Sequence, residues 1–277
     1  MPLVPDFLAG RTPPDLYHAY LEPAFTPWAR ALLDTLRPVG RLLDLACGTG
    51  LVSRLAADLP GVAAIEAIDV AAPMIAKSEA LDPAAGETVR YSVASASELP
   101  FDDHHFDAAI CQQGLQFFPD KPAALREVRR VLKPGTRAAF STWCRAEDGN
   151  AVFGAFERII AKDLGDDLVP FGPFAFGDRR TIARLAEEAG FRVIALEAES
   201  RLSHLPDPRT FVLFDLAFLG RPASDGTLQP IMDFDDPASD AVIERLIEKM
   251  DSATTQWRQE DGSLLAPMRA HVLLVEA

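Results

Sequence analysis

Cysteine is scarce in this sequence, and long apolar runs are missing from it. The 277 residues include 3 cysteines, an odd number with no C-x-x-C spacing, which indicates neither a disulfide framework nor a zinc site. No stretch reaches the ~18 apolar residues that a membrane span needs. The opening MPLVPDFLAGRTPPDLYHAY has neither the basic nor the apolar region of a signal peptide. We therefore expect a protein of the reducing cytoplasm.

Basic residues are also few. The sequence has 27 Lys and Arg against 41 Asp and Glu, which gives a formal net charge of −14. Such a surface repels phosphate backbones, so nucleic acid is not an expected partner, and an anionic membrane surface is disfavoured for the same reason. The simplest explanation of the acidity is solubility. The hydrophobic fraction of 48% is large enough for a sizeable core.

Short apolar runs alternate with amphipathic helical patterns between about residues 40 and 143. This alternation predicts a parallel sheet with helices on both faces. RVIALEAES and MRAHVLLVEA add two strands, so the expected fold is a doubly wound, Rossmann-like, seven-stranded, mostly parallel sheet. Pro134-Gly135 predicts a turn before the fifth strand. The segment from Asp15 to Leu36 should form two helical pieces, because Pro23 and Pro27 should break or kink it.

Two phenylalanine-rich insertions interrupt the alternation. We expect one domain over residues 1–277, with a core at about 37–145, 178–205 and 266–277 and a cap at 1–36, 146–177 and 206–265. Most of the aromatic residues there should form the core of the cap, and the rest favour an apolar, planar or lipid-like ligand of modest size. They are Phe153, Phe156, Phe171, Phe174, Phe176, Phe211, Phe214 and Phe218.

A glycine-rich turn follows the first strand, which ends at Asp44. Gly48 and Gly50 allow a sharp turn and a close approach to a ligand, although a lone G-x-G supports only a strand-to-helix turn. The third glycine of a dinucleotide fingerprint is replaced by Ser53, and a carboxylate at Asp44 would repel a pyrophosphate but attract an ammonium group. Asp69 ends the second strand 19 residues after Gly50, a spacing typical of a carboxylate that binds ribose hydroxyls. The expected ligand is a nucleoside with a cationic tail and no phosphate, a form that S-adenosylmethionine has.

Four ordered motifs carry a resemblance to a known family. LLDLACGTG, Asp69, SASELPFDDHHFDAAICQQGLQFFPD and LREVRRVLKPG resemble class I S-adenosylmethionine-dependent methyltransferases. The most similar type is that of ubiquinone and menaquinone biosynthesis, with the methyltransferase 11 core. The resemblance covers about residues 40–143 and is weaker over the N-terminal helices. It implies that the cofactor is S-adenosyl-L-methionine.

The resemblance also implies roles for residues around the turn. The backbone of Ala46 and Gly48, in the loop that also contains Gly50, would contact the methionine part, and Asp69 would hold the ribose. Val70 and Met74 would lie against the adenine ring. Core packing is an equally good interpretation of Met74.

Further cofactor contacts are implied at three other places. Ser95 and Ala96 would meet the adenine edge, although many relatives have an aspartate at the Ser95 position. Gln112, at the end of the fourth strand, would reach the methionine moiety. Tyr20 and Trp28 would close over the carboxylate end, with packing as the competing interpretation of Trp28.

A catalytic base cannot be identified from the sequence. Methyl transfer needs an aligned lone pair and exclusion of water, and a base only for a poorly ionised acceptor. Tyr17, His18 and His204 stay open as candidates. Gln113 and Gln116 should face the acceptor and could orient it, but an amide cannot take a proton.

The DDHH turn is expected to be a solvated loop, and no metal site is predicted. His104 and His105 are consecutive, and consecutive side chains on a surface turn seldom converge on one ion. Their presence therefore does not change the expected cofactor.

The expected function is S-adenosylmethionine-dependent methylation of a small, apolar or aromatic molecule. The alternative is a methyltransferase-fold protein that binds the cofactor but catalyses a different reaction or only binds. A nicotinamide-dependent oxidoreductase is disfavoured by Asp44 and Ser53. The identity of the acceptor, the atom methylated and the oligomeric state stay open.

Overall fold

A computed structural model of the chain describes residues 12–82, 86–165, 173–218, 220–222, 228–234 and 236–277. The chain divides into two compact units. The sheet unit comprises Pro13–Cys144, Phe176–Glu199 and Ala270–Ala277, and the second unit comprises Met1–Thr12, Arg145–Ala175 and Ser200–Arg269. Residues 13–36, which the sequence grouped with the cap, belong to the sheet unit. That the whole chain is one domain stays a prediction. Phe171 lies outside the described residues.

Seven strands form one sheet in the order β3-β2-β1-β4-β5-β9-β6. β1 to β5 pair in parallel, and β9 is antiparallel to β5. The predicted doubly wound, mostly parallel sheet is therefore confirmed. The strand order reverses between β1 and β4, which is where such sheets bind ligands. The strands are β1 Gly40–Leu45, β2 Val62–Asp69, β3 Val89–Val93, β4 Phe106–Gln112, β5 Leu132–Trp143, β6 Arg192–Leu205, β7 Gly220–Pro222, β8 Leu228–Pro230 and β9 Leu264–Glu276.

Three of the helices begin at an aspartate that caps them. Asp120 and Asp178 each accept a hydrogen bond of 2.8 Å from a backbone N–H in the first turn of the helix that follows, and Asp236 does the same at 2.9 Å. The helices are α1 Pro13–Leu16, α2 Glu22–Leu36, α3 Leu51–Ala57, α4 Ala72–Leu81, α5 Lys121–Val131, α6 Ala151–Leu164, α7 Arg179–Glu188, α8 Pro208–Phe218 and α9 Pro237–Thr254. No helix in these described ranges is long and apolar enough to cross a bilayer.

The two faces of the sheet are covered by different helices. Leu43 and Leu45 of β1 lie in a core with Leu125 of α5. Leu42, which points the other way because strand side chains alternate, lies in a second core with Leu32 of α2. Each such leucine contributes about 1.5–3 kcal/mol when fully buried. These two cores hold the strand ends, and therefore the turns that follow them, in fixed positions.

The N-terminal helix differs from the sequence prediction at Pro27. α1 continues through a π-helical turn at Tyr17–Leu21 into α2, which contains Pro27 without ending there. Pro23 lies in the first turn of α2, where a missing N–H costs little. Both prolines are exposed, so solvent can satisfy the carbonyl that Pro27 leaves without its helical donor. The helix therefore does not break at Pro27, and the irregularity that divides the segment is the π-helical turn.

β5 begins earlier than predicted. Its pairing with β4 passes from Phe106 opposite Leu132 to Ala108 opposite Arg137, so the intervening residues of β5 bulge out of the ladder. Gly135 has a φ of 77°, the left-handed conformation that glycine adopts freely. The predicted Pro134-Gly135 turn is thus an irregularity inside the strand.

The second unit has its own aromatic core. Phe153 lies 4.6 Å from Phe174 and 5.0 Å from Phe211, measured between ring centroids, and Phe156 packs edge-on against Phe211. These rings are part of the interior of that unit, which is the role that the sequence favoured for most of the aromatic residues there. Phe176 belongs instead to the sheet unit, where the Nζ of Lys121 lies 4.8 Å from its ring.

Candidate functional site

The turn after β1 is sharply bent. Ala46, Gly48 and Gly50 have φ values of 53°, 57° and 83°, all in the left-handed region. A Cβ on Gly50 would lie 2.7 Å from the hydroxyl of Tyr91, so packing requires glycine there. A Cβ on Gly48 would meet only the ring of Tyr17, at 3.9 Å. Gly48 is therefore favoured by its left-handed backbone conformation alone. Gly50 is favoured by its conformation and also because a side chain at this position would clash.

Asp69 is held by the backbone of two turns. Its Oδ2 accepts the N–H of Gly48 at 2.9 Å, and its Oδ1 accepts the N–H of Ala71 at 2.9 Å. A carboxylate has about four lone-pair positions, so two remain for other donors. The arrangement fixes the carboxylate at the end of β2, beside the glycine turn, where the sequence expects ribose hydroxyls.

Three backbone N–H groups of the turn are already bound within the protein. The N–H of Gly48 is bound by Asp69, that of Gly50 donates to the carbonyl of Cys47 at 2.9 Å, and that of Cys47 donates to the carbonyl of Ile68 at 2.9 Å. Dinucleotide-binding turns direct such N–H groups at the pyrophosphate. Here these three are satisfied within the protein, which fits a ligand without phosphate.

Asp44 lies beneath the turn, with 1% of its surface exposed. Its Oδ2 accepts a hydrogen bond of 2.6 Å from the hydroxyl of Ser53. Burial raises the pKa of Asp44 to about 7; the Ser53 hydrogen bond opposes this shift and the charge of Asp69 adds to it. A nearby cation would favour the ionised form. Ser53 thus has a specific partner that the sequence did not predict.

Tyr17 lies over the glycine turn. Its ring stands next to Gly48 and packs edge-on against Phe25 at 6.1 Å. Burial raises the pKa of the Tyr17 phenol, and the carboxylates of Glu22 and Asp69 act in the same direction, so the hydroxyl stays protonated and is a hydrogen-bond donor. Sequence reasoning left Tyr17 unassigned and selected Tyr20, which is half-buried in the same π-helical turn.

Glu22 connects α2 to the turn, and the sequence gave no indication of it. Its buried carboxylate accepts hydrogen bonds from the hydroxyl of Thr49 and, at 2.8 Å, from Nη2 of Arg54, and it lies 3.0 Å from Nδ1 of His18. A second ion pair, Lys77 to Asp15 at 2.7 Å, joins α4 to α1. Apart from His18, four residues before Glu22, the partners are 27 to 62 residues apart in sequence, so no local pattern marks the contacts between these helices and the turn.

Trp28 and Gln112 lie where α2 meets the sheet. Trp28 is buried and packs edge-on against Trp143 at 5.2 Å, the packing role that the sequence weighed against a ligand contact. Gln112 donates from Nε2 to the carbonyl of Phe25 at 3.1 Å. This amide therefore ties the end of β4 to α2, and a contact between Gln112 and methionine stays a prediction.

The expected adenine contacts lie at the ends of β2 and β3. Val70 follows Asp69 directly and is 74% exposed, so its side chain is accessible to a ligand. Met74 and Ala96 are half-buried. The exposed Ser95 accepts the N–H of Ser97 on its hydroxyl at 3.2 Å. The hydrogen bond of Ala94 N–H to the carbonyl of Asp69, at 3.1 Å, brings the end of β3 to this edge.

The side chains of the DDHH turn bind separate partners. Asp103 pairs with Arg130 at 2.8 Å, and His105 Nε2 lies 2.7 Å from Nη1 of Arg41. His104 Nδ1 lies 3.0 Å from the carbonyl of Leu132. In the part of the chain that the structure describes, no three Asp, Glu, His or Cys side chains converge as a metal site would require.

The segment after β4 packs directly on the glycine turn. A Cβ on Gly114 would lie 2.6 Å from the Cβ of Ala46 and 2.9 Å from the sulfur of Cys111. Gln113 has a φ of 54° and donates its N–H to the carbonyl of Ser141 at 3.0 Å. This places Gln113 and the residues after it beside the turn.

A family model described as a methyltransferase domain matches residues 43–140. The match covers β1 to β5, and therefore the glycine turn, Asp69 and the segment after β4.

Two curated relatives extend this similarity. The chain is 39% identical over 124 residues to a 2-phytyl-1,4-naphtoquinone methyltransferase of Synechococcus elongatus, covering 40% of this chain and 50% of the relative. It is 34% identical over 182 residues to a demethylmenaquinone methyltransferase of Beutenbergia cavernae, covering 60% of this chain and 72% of the relative. The chain thus spans half the length of the former and nearly three quarters of the latter.

The fold also matches a solved structure. A putative methyltransferase from Bacillus halodurans superposes with a TM-score of 0.58 at 16% identity, over 90% of this chain and 97% of that one. At this identity the match supports the fold and says nothing about the acceptor.

Proposed function

Because the chain belongs to the class I S-adenosylmethionine-dependent methyltransferase family, we propose that it methylates a small, apolar or aromatic molecule. One observation carries the choice of cofactor. The glycine turn uses the N–H of Gly48 to hold Asp69, and it lies above the buried carboxylate of Asp44. Such a site suits a cationic nucleoside and not a pyrophosphate.

The residues of the sheet edge fit the cofactor. Asp69 would bind the ribose hydroxyls through its remaining lone pairs, and Val70 would lie against the adenine. Asp44 would supply negative charge near the positive end of the ligand, and Tyr17 would donate from its hydroxyl above Gly48. The cofactor supplies a methyl group already activated on sulfonium sulfur. The task of the chain is then to align the acceptor and exclude water.

The class of acceptor is supported by the relatives. They are named as a 2-phytyl-1,4-naphtoquinone methyltransferase and a demethylmenaquinone methyltransferase, names that point to apolar ring compounds. Binding of the cofactor with a different reaction, or with none, is the alternative, and family membership does not favour it. The net charge of −14 gives no reason to expect nucleic acid as the acceptor.

The test has two steps. Titration calorimetry with S-adenosylmethionine, S-adenosylhomocysteine and NAD should give binding of the first two and none of the third. Labelled methyl from S-adenosylmethionine should then appear in the apolar fraction of a cell extract. Binding of NAD would contradict the choice of cofactor, and binding of S-adenosylmethionine without any transfer would favour the alternative.

We also propose that the protein works in the cytoplasm. Cys47, Cys111 and Cys144 are all buried, as thiols used for packing in a reducing compartment are. Cell fractionation followed by immunoblotting tests this location.

A further inference from the structure

Two buried glutamines follow β4 and leave polar atoms without partners. Gln113 is 6% exposed and Gln116 is 8% exposed. Nε2 of Gln116 donates to Oε1 of Gln113 over 3.4 Å. Within the described residues, neither Nε2 of Gln113 nor Oε1 of Gln116 has a hydrogen-bond partner.

The pair offers one free donor and one free acceptor in both arrangements of its amides that keep the hydrogen bond between them. Oxygen and nitrogen of an amide are assigned from the hydrogen-bond network. If both amides are reversed, the bond between Gln113 and Gln116 persists with its direction exchanged. One NH₂ group and one carbonyl oxygen then still lack partners. The requirement on a ligand is therefore the same in both arrangements.

Buried polar groups without partners are rare because they lose their hydration without compensation. Two such groups on neighbouring side chains indicate that something else satisfies them. A bound molecule with a complementary acceptor and donor would do so.

The position of the pair suits the acceptor. Gly114, between the two glutamines, lies against Ala46 of the glycine turn. Phe117, next to Gln116, is 59% exposed and offers an apolar surface beside the polar pair. The combination suits an apolar ring that carries a few polar groups.

We propose that Gln113 and Gln116 bind the methyl acceptor, and that this acceptor is a neutral ring system with both a carbonyl and a hydroxyl group. The carbonyl accepts from the free NH₂ group, and the hydroxyl donates to the free amide oxygen. An ionised hydroxyl has no proton to donate to the free amide oxygen, so the two glutamines select the acceptor molecule with its hydroxyl protonated. This inference rests on the proposed function, and it adds the polar groups that the acceptor must carry.

A matched pair of probes tests the inference. 3-Hydroxyflavone has a hydroxyl beside its ring carbonyl, and flavone lacks that hydroxyl. Their dissociation constants are measured by fluorescence or calorimetry with saturating S-adenosylhomocysteine and without it. The variants are Gln113→Leu and Gln116→Leu, and the control is Gln256→Leu, which replaces an exposed glutamine. Gln116→Glu, which keeps the side-chain shape, is made in case the leucine variants fail to fold.

The parent protein should bind 3-hydroxyflavone about tenfold more tightly than flavone, a difference of about 1.4 kcal/mol. Gln113→Leu and Gln116→Leu should bring the two constants within about twofold. Gln116→Glu keeps an acceptor oxygen for the hydroxyl but draws the NH₂ group of Gln113 toward the new carboxylate, so it should weaken the binding of flavone and keep the preference for 3-hydroxyflavone. In all three variants the affinity for S-adenosylhomocysteine should not change. Gln256→Leu should keep the tenfold preference.

Equal binding of the two probes, or binding of neither, would overturn the proposal. So would a preference that survives in both leucine variants. The melting temperature of the double variant Gln113→Leu/Gln116→Leu gives a second readout. Each single leucine variant leaves the other amide without its hydrogen bond, whereas the double variant removes both unsatisfied amides, so its stability should be unchanged or higher. A fall of several degrees in the double variant would show that the amides are structural. Failure of the proposed function is seen separately, as absent binding of S-adenosylhomocysteine.

Discussion

The carboxylate of Asp44 accepts a 2.6 Å hydrogen bond from the hydroxyl of Ser53, and both side chains are buried beneath the glycine turn. The bond links the end of β1 to the first turn of α3. It also offsets part of the cost of burying a carboxylate. The position that would be glycine in a dinucleotide fingerprint therefore helps to keep an acidic group under the turn.

The affinity for the cofactor should depend on pH through Asp44. The pKa of this carboxyl is about 7, so below pH 7 the free protein holds a proton that a cationic ligand must displace. The dissociation constant of S-adenosylmethionine should rise by up to about tenfold for each pH unit below 7, and level off above about pH 8. Calorimetry between pH 5.5 and 8.5 measures this. Asp44→Asn is the control, and an equal slope in that variant would assign the dependence to another group.

The stability of the free protein should depend on pH in the opposite sense. Because the pKa of Asp44 is higher in the folded than in the unfolded chain, the folded state binds more protons between about pH 4 and 7. The Asp44 contribution to the free energy of unfolding should then fall as pH rises through this window. At pH 8, Asp44→Asn should be more stable than the parent by about 2–4 kcal/mol. Urea unfolding at pH 4.5 and 8 tests this, and equal differences at both values would contradict it.

Asp69→Ala should weaken binding of S-adenosylhomocysteine by about 2–4 kcal/mol. The variant removes the proposed ribose acceptor, a charge-assisted contact. It also frees the N–H groups of Gly48 and Ala71, so Asp69→Asn is needed as a variant that keeps the shape of the side chain. Calorimetry measures both. An unchanged affinity in Asp69→Ala would refute the ribose assignment.

Glu22→Gln should loosen the contact between α2 and the glycine turn. The change removes the charge that pairs with Arg54, leaving the guanidinium without its counter-charge. We expect a loss of about 2–3 kcal/mol in the free energy of unfolding, measured in urea. Asp15→Asn is the matched control, since its pair with Lys77 is partly exposed and should contribute less than about 1 kcal/mol. Equal losses in the two variants would argue against a special role of Glu22.

Gly114→Ala should strain the contact between the segment after β4 and the glycine turn. The new Cβ would overlap the Cβ of Ala46, at a cost of about 1–3 kcal/mol. Ala46→Gly removes the opposing atom and relieves a left-handed alanine, so the double variant should recover part of the loss. Urea unfolding of the four proteins in the cycle gives the coupling energy. If the losses of the two single variants simply add, the two residues do not interact. We expect only partial recovery in the double variant, because the new Cβ would still lie 2.9 Å from the sulfur of Cys111.

The sequence predicted what depends on local pattern. The alternation of strands and helices, the turn after Asp44 and the positions of Asp69 and Gln112 all follow from periodicity or from the family motif. The contacts of Glu22 and Tyr17 with the turn were not predicted, because they join residues more than twenty positions apart and no local pattern marks such a contact. The effect of Pro27 was predicted wrongly, since α2 continues through this exposed proline although its ring removes one helical hydrogen bond.

The position of β9 has a consequence for folding. β6 lies at the edge of the sheet and is paired there with β9, a strand that follows it by some sixty residues in the chain. β6 therefore cannot join the sheet until β9 has inserted beside β5, so this side of the sheet closes through a long-range pairing. Pairings of that kind are slow, and until this one forms, β5 has an open edge that another chain could occupy.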